Sequence, residues 1–402
     1  ASKAAFEAET PDIEIHWETR SLKEFGDAPI RPYADKYDFI ILDHPFVGMA
    51  HETGCLVDLK TVVPEAVEAA LGDEVGKSAR SYHHGGGVYG LPTDAAAQIA
   101  AYRPDLLAEL ERDVPRTLDD VLDVARAARA KGRYMALTAC PTDAICMVMS
   151  YSVNMRGHGE GLFTDTATLG DALDILTELV ALAHPKSVER NPIATFNAMA
   201  SGDEIVYVPL AFGYSNYSRT GRSPLIRSAN FAGPGAVPFA GALLGGAGCS
   251  LTHSCQDHEA AARYLDWLHR PAVMAGPYFA AGGQPGSRAA WLDDQLQAAE
   301  GRVHCPLNIC IRHGDAGADM AACYRKGDIS RLGRQQGISN RPETWCVFDD
   351  EAVLQRPEMV VVPLGLRYMQ GRLLAPLRKH DRRAGQQSSA AGRTKHGIEL
   401  HT

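Results

Sequence analysis

The sequence predicts an α/β protein of two lobes joined by strands that cross between them. Three observations lead there. At 402 residues the chain is too long for one core, because single cores stop growing near roughly 250–300 residues. Strand and helix patterns alternate up to about residue 300, the order expected of α/β lobes. Glycine and proline punctuate residues 233–248, as strands passing between lobes require.

Taken in order, residues 1–9 form an amphipathic helix with no secretory signal before it. Such a helix normally follows a strand, so the start reads as trimmed. Ile13-Glu14-Ile15-His16-Trp17 alternates apolar and polar, as a half-buried strand does. Tyr37-Asp38-Phe39-Ile40-Ile41-Leu42 is a buried strand that runs into the polar turn Asp43-His44-Pro45. His84-Gly85-Gly86-Gly87 reads as a tight turn before a strand over 88–91. Pro92 breaks that strand, and a second apolar segment runs on through Ala101-Tyr102. Pro104 pushes Arg103 out of helical space, and Asp105 can cap the helix that follows.

Further helices are expected over 118–130, 169–183, 193–200 and 258–268, two of them opened by Thr117 and by Asn191-Pro192. Ile205-Val206-Tyr207-Val208-Pro209-Leu210 is a second buried strand and ends in a loop of rings and amides. No internal repeat is visible. From His304 onward neither helical nor strand periodicity is found, and residues 378–397 are basic and rich in Gly, Ser and Gln. That composition reads as disorder. The abrupt change suggests a reading-frame change near residues 305–320, which resequencing around codon 305 tests.

A formal charge of −9 argues against nucleic acid or anionic lipid as the main partner. The charge is uneven: residues 302–402 carry 16 Lys and Arg against 10 Asp and Glu, which leaves −15 on the first 301. Nine cysteines without any Cys-x-x-Cys spacing suggest buried free thiols rather than a zinc site or a disulfide framework. The uncharged run 230–253 is broken by Gly233, Pro234, Gly235 and Pro238 and is not a membrane span.

Asp43-His44 stands where open α/β sheets bind ligands, at a strand's C-terminal end; the competing reading is that Asp43 caps the next turn. Asp94 offers a second acceptor, with helix capping as its alternative. Phe212-Gly213-Tyr214-Ser215-Asn216-Tyr217 mixes rings with amide and hydroxyl groups, the mixture sugars need; a plain surface loop is equally compatible. The glycines 245–248 lack the Lys-Ser/Thr of a phosphate loop, which leaves a strand-crossing bend or a close approach to a neutral ligand. No Gly-x-Ser-x-Gly elbow accompanies the His84 glycines, and the histidines lack metal-ligand spacing. No metal and no cofactor are expected.

In their order these segments resemble the extracellular solute-binding proteins of ABC transporters, family 1. The resemblance is carried by the strand ending at Asp43, by Tyr89-Gly90-Leu91-Pro92-Thr93-Asp94 with Tyr102-Arg103-Pro104-Asp105-Leu106-Leu107, and by Pro115-Arg116-Thr117-Leu118-Asp119-Asp120. It continues through residues 247–251 and 260–268 and ends at Gly282-Gly283-Gln284-Pro285-Gly286-Ser287-Arg288. It covers roughly residues 1–300; the tail does not continue the family's closing helices. The resemblance implies a type II periplasmic-binding-protein-like fold. One lobe would take residues 1–95 and about 245–300, and the other 96–244 and part of 301–375, leaving 376–402 as a basic tail.

The implied function is capture of a small solute, a carbohydrate, for delivery to an ABC permease without catalysis. The protein would act as a monomer in the periplasm or outside the cell, held at the membrane only through the permease. Asp43, His44, Pro45, Thr93, Asp94, Phe212, Tyr214, Asn216, Tyr217, Gly245 and Gly246 match the family's ligand-facing segments, and Thr142 and Asp143 are placed at the cleft with them. Two rival readings are a cleft enzyme (hydrolase or transferase) using Asp43, His44 and Asp94, and a clamp for a polyol, amino sugar or polyamine, which the acidic first 301 residues would suit.

Overall fold

A computed structural model describes residues 2–20, 24–25, 28–156, 166–234 and 242–299. The expected basic tail and the suspected frame change lie outside the described residues. The described residues build eight strands: β1 (Phe39–Leu42), β2 (His83–His84), β3 (Gly87–Val88), β4 (Leu91–Tyr102), β5 (Tyr134–Met135), β6 (Ile205–Phe212), β7 (Arg227–Ala229) and β8 (Leu244–Leu251). β2 and β3 form a hairpin, and the other six make one sheet in the order β1-β8-β4-β6-β5, with β7 also on β4.

β4 is the axis of the molecule. From Leu91 to Ala97 it pairs antiparallel with β8, and from Gln98 to Tyr102 with β6 and β7. One strand is thus shared by both halves of the sheet, and the partner changes between Ala97, opposite Leu244, and Gln98, opposite Phe212. The two-lobed α/β fold is the one the sequence predicts. Each half has its own core. One gathers Phe6, Leu59, Val67, Leu251, Tyr264 and Trp267, and the other Tyr102, Val121, Met147, Leu176, Tyr207 and Leu210.

The run of alanines in β4 follows from burial on both faces, where helices leave little room. Ala95 packs against Val75, Phe279 and Trp291, while Ala97 and Ala100 face the second core. Alanine is a poor strand former, so packing overrides its propensity here. The expected break at Pro92 does not occur. Pro92 lies inside β4 at a register shift between Pro92 and Asp94, and an irregularity is where a strand tolerates a residue without an N–H. The strand expected over 88–91 divides accordingly, its start joining the β2–β3 hairpin.

Two further expectations are corrected. Residues 13–17 are not a strand: Ile13 and Ile15 pack on the first core, the Ile15 N–H donates to Glu7 Oε1 at 2.9 Å, and Trp17 is 43% exposed. Alternation reported one-sided burial without a strand neighbour to pair with. The Pro104–Glu109 helix starts from an extended Arg103 with no side-chain cap, and Asp105 pairs with Arg103 instead. The Leu118–Ala130 and His258–Leu268 helices fall where expected. The first opens with a reciprocal capping box between Thr117 and Asp120. The second buries Ala261, Tyr264, Leu265 and Leu268 as one stripe, with Phe6 edge-on to Tyr264 at 5.0 Å.

Candidate functional site

β1 ends at Leu42, and the next residue, Asp43, accepts the His44 backbone N–H at 2.8 Å. The same carboxylate oxygen lies 3.1 Å from His44 Nδ1. Asp43 therefore caps the short turn His44–Phe46 while remaining at the strand's end. Tyr82 lies across the neighbouring strand. A Cβ on Gly248 would come within 2.5 Å of its ring, so only glycine admits it. Tyr82 donates to the Leu42 carbonyl at 3.3 Å. Burial pushes its phenol well above the usual range, and the charges of Asp43 and Asp94 push the same way.

Asp94 is a strand residue opposite Ala247 and not a helix cap. Its carboxylate has no hydrogen bond or ion pair among the described residues. Burial raises its pKa from 3.8 to about 7, and the charge of Asp43 adds to the effect. Thr93, beside it, is 3% exposed and donates its hydroxyl to the Ala247 carbonyl at 2.9 Å, which ties β4 to β8.

The other half of the sheet supplies Asp143, in the first turn of the Pro141–Arg156 helix. Asp143 is buried and accepts the Cys140 thiol at 2.9 Å. Burial raises its pKa to about 6, with the thiol hydrogen bond pulling the other way. Thr142, one residue earlier, is exposed. Cys146, one turn along that helix, has its thiol pushed up by burial and then by Asp143 and Asp43, so carboxylates of both lobes act on it.

Tyr214 ties these pieces together. Its phenol is pushed up by burial first, then by Asp94, Asp143, Tyr217 and Asp43. The charges of three carboxylates from three separate segments thus act on one phenol. Phe212 faces Gln98 across the β4–β6 ladder. A Cβ on Gly245 would come within 2.8 Å of the Phe212 ring, and one on Gly246, at φ +124°, within 2.3 Å of the Asp94 carbonyl oxygen. Both glycines are therefore fixed by how closely β8 passes its neighbours.

Of the remaining candidates, Asn216 faces Gly282, and Pro45 is exposed. Tyr217 turns into the second half, donating to Asn197 Oδ1 at 2.7 Å and packing on Phe196 at 5.4 Å. Sequence reasoning missed Tyr82, Gln98 and Tyr278, whose phenol also feels Asp94. Strand register and the glycines opposite them bring these residues in, and neither is visible in the local sequence. A separate surface groove of about 760 Å³ lies at the far end of β4, lined by Arg103, Asp203 and Arg222. Among the described residues no three His, Cys, Asp or Glu side chains are grouped to hold a metal ion.

A family profile for the bacterial extracellular solute-binding protein matches residues 1–275. The chain belongs to that family. Several solved structures of solute-binding proteins share this fold. Maltose-bound MalE3 of T. maritima superposes with a TM-score of 0.65 at 19% identity, covering 83% of this chain and 90% of that one. UgpB from Mycobacterium tuberculosis in complex with glycerophosphocholine gives 0.65 at 15% identity, covering 94% of each chain. An ABC transporter solute-binding protein from Agrobacterium radiobacter in complex with ribitol gives 0.63 at 18%, covering 84% and 90%. Curated protein sequences offer no match. Among the described residues of this solute-binding protein, no helix is long and apolar enough to cross a membrane.

Proposed function

We propose that this solute-binding protein captures a small solute of the carbohydrate class between its lobes and delivers it to the permease of an ABC importer. The reading rests on the family, and one observation carries it into the site. The charges of carboxylates from both halves of the sheet act on Tyr214, and the two halves share one strand. A ligand seated there touches both lobes and favours their closed arrangement by the difference in its affinity for open and closed states. Tyr214 and Phe212 offer ring faces, and Asp43, Asp94 and Asp143 offer acceptors for hydroxyl groups. His44, Asn216, Gly245 and Gly246 border the same region. The lobes divide where β4 changes partner, between Ala97 and Gln98. The protein works as a monomer, in the periplasm or outside the cell.

Structural neighbours bound to maltose and to ribitol support a sugar or polyol as the solute class. The cleft-enzyme alternative gains nothing from the family or these neighbours. Thermal unfolding of the full chain against a panel of mono-, di- and oligosaccharides and polyols tests the proposal. A true ligand at 100 times its dissociation constant stabilises the folded state by about 2.7 kcal/mol. A cooperative transition that no member of the panel moves would refute it.

A further inference from the structure

No cation among the described residues pairs with the carboxylate of Asp94 or of Asp143. Among the described residues, no Lys, Arg or His acts electrostatically on Asp94, Asp143, Tyr82, Tyr214 or Tyr278. Asp43 has the neighbouring His44, whereas the Asp94 carboxylate has neither hydrogen bond nor ion pair. Asp94 is half-buried, and a ligand that displaces water from an unpaired carboxylate must compensate its charge. Among the described residues the three carboxylates are not grouped to hold a metal ion.

A second feature points to a ligand independently. Gln98 is 1% exposed. Its Oε1 accepts the Ser150 hydroxyl at 2.5 Å, but its Nε2 amide has no partner among the described residues. Pairing with β8 and β6 is regular from Asp94 to Gln98, so residues 94, 96 and 98 share one face of β4. Ser150 lies on the same face of its helix as Asp143 and Cys146, seven and four residues after them. Gln98 thus offers a donor on the strand face that carries Asp94, and Phe212 lies directly opposite it on β6. A donor asks for an oxygen acceptor, the carboxylates ask for a cation, and the ring asks for a C–H face.

Resting on the solute-capture reading, we propose that the cleft selects a polyhydroxylated amine, an amino sugar or aminocyclitol. Its ammonium group is balanced by Asp94 with Asp43 and Asp143, and its hydroxyl or ring oxygens accept from Gln98. A neutral sugar could satisfy the hydrogen bonds but would displace water from the carboxylates without compensating their charge. A protonated amine does both, through charge-assisted hydrogen bonds. Burial raises the pKa of Asp94, and a cation beside it would act in the opposite direction.

The test is calorimetric titration of the full chain at pH 7 with matched pairs differing only in amine or hydroxyl: D-glucosamine and D-glucose, D-galactosamine and D-galactose, D-mannosamine and D-mannose. In at least one pair the amine binds tenfold or more tightly than the hydroxyl compound. Asp94→Asn abolishes that preference, and Asp143→Asn weakens it in a second, independent variant. Hydroxyl members that bind as well as or better than their amine partners would overturn the inference and leave solute capture standing. Binding by no member of any pair would overturn the amine assignment and count against a monosaccharide-sized solute as well. An amine preference unchanged in both variants would overturn the assigned counter-charges.

Discussion

Replacing Asp94 by Asn should stabilise the empty protein, and by an amount that depends on pH. A carboxyl whose folded pKa is raised holds its proton more tightly in the folded chain than in the unfolded one. Folding is unburdened below the unfolded value, loses stability as pH rises, and carries the full burden above the folded value. For Asp94 the window runs from 3.8 to about 7. Each pH unit of it is worth about 1.4 kcal/mol, so the ionised carboxylate burdens the fold by up to about 4 kcal/mol at pH 8 and about 1–2 kcal/mol at pH 5. Asn has nearly the same shape and cannot ionise. Urea unfolding of the ligand-free chain, followed by fluorescence of the buried Trp267 and Trp291, measures the difference as a midpoint shift at constant slope. Asp94→Asn should raise the midpoint clearly at pH 8 and less at pH 5. A variant less stable than the parent at pH 8, or a gap identical at the two pH values, would refute the reasoning.

The other predictions concern the frame around the site. Arg103 is 3% exposed and bonded to Asp105, Asp203 and the Met199 and Gly202 carbonyls, so Arg103→Met, which leaves those carbonyls without their donor, should cost about 1–3 kcal/mol. Asp203→Asn, at a side chain 69% exposed, should cost under about 1 kcal/mol; equal losses in the two variants would contradict this. Gly246→Ala should cost about 1–3 kcal/mol from backbone strain alone, and more from its approach to the Asp94 carbonyl. Gly54→Ala, at φ +59° with nothing within 4 Å, is the control, and a loss no larger than the control's would count against the close approach. Thr117→Ala removes the capping box and should lower stability by about 1 kcal/mol, read by the same urea titration.

Much of the fold was legible because its elements carry local signals. Thr117, Asn191 and Asp257 each accept a backbone N–H at a helix start, and capping residues of that kind mark boundaries in sequence. β4 was harder. Its alanines have little strand propensity and Pro92 argues for a stop, yet two strands pairing with its successive halves hold it extended. Residues 13–17 show the opposite error, a strand pattern without a strand neighbour. At the site, Asp43, Asp94 and Tyr214 stood out as polar or aromatic residues at buried strands, while Asp143 entered with the family resemblance; the charges of all three carboxylates act on Tyr214. Tyr82 and Gln98 did not stand out. One is seated by the absent Cβ of Gly248 and the other by strand register, which are properties of the partner strand and not of the neighbouring sequence. Tyr217, drawn from the same motif as Tyr214, packs with it on Phe196.

The central claim is that a small solute is held at the face where β4 changes partners. Calorimetric titration with the compound that most raises the unfolding midpoint tests it most directly, carried out on the parent chain, on Tyr214→Ala and on Asp43→Ala. The account predicts one site per chain in the parent and at least tenfold weaker binding in each variant, with all three still unfolding cooperatively. Unchanged affinity in both folded variants would place the solute elsewhere and contradict the account.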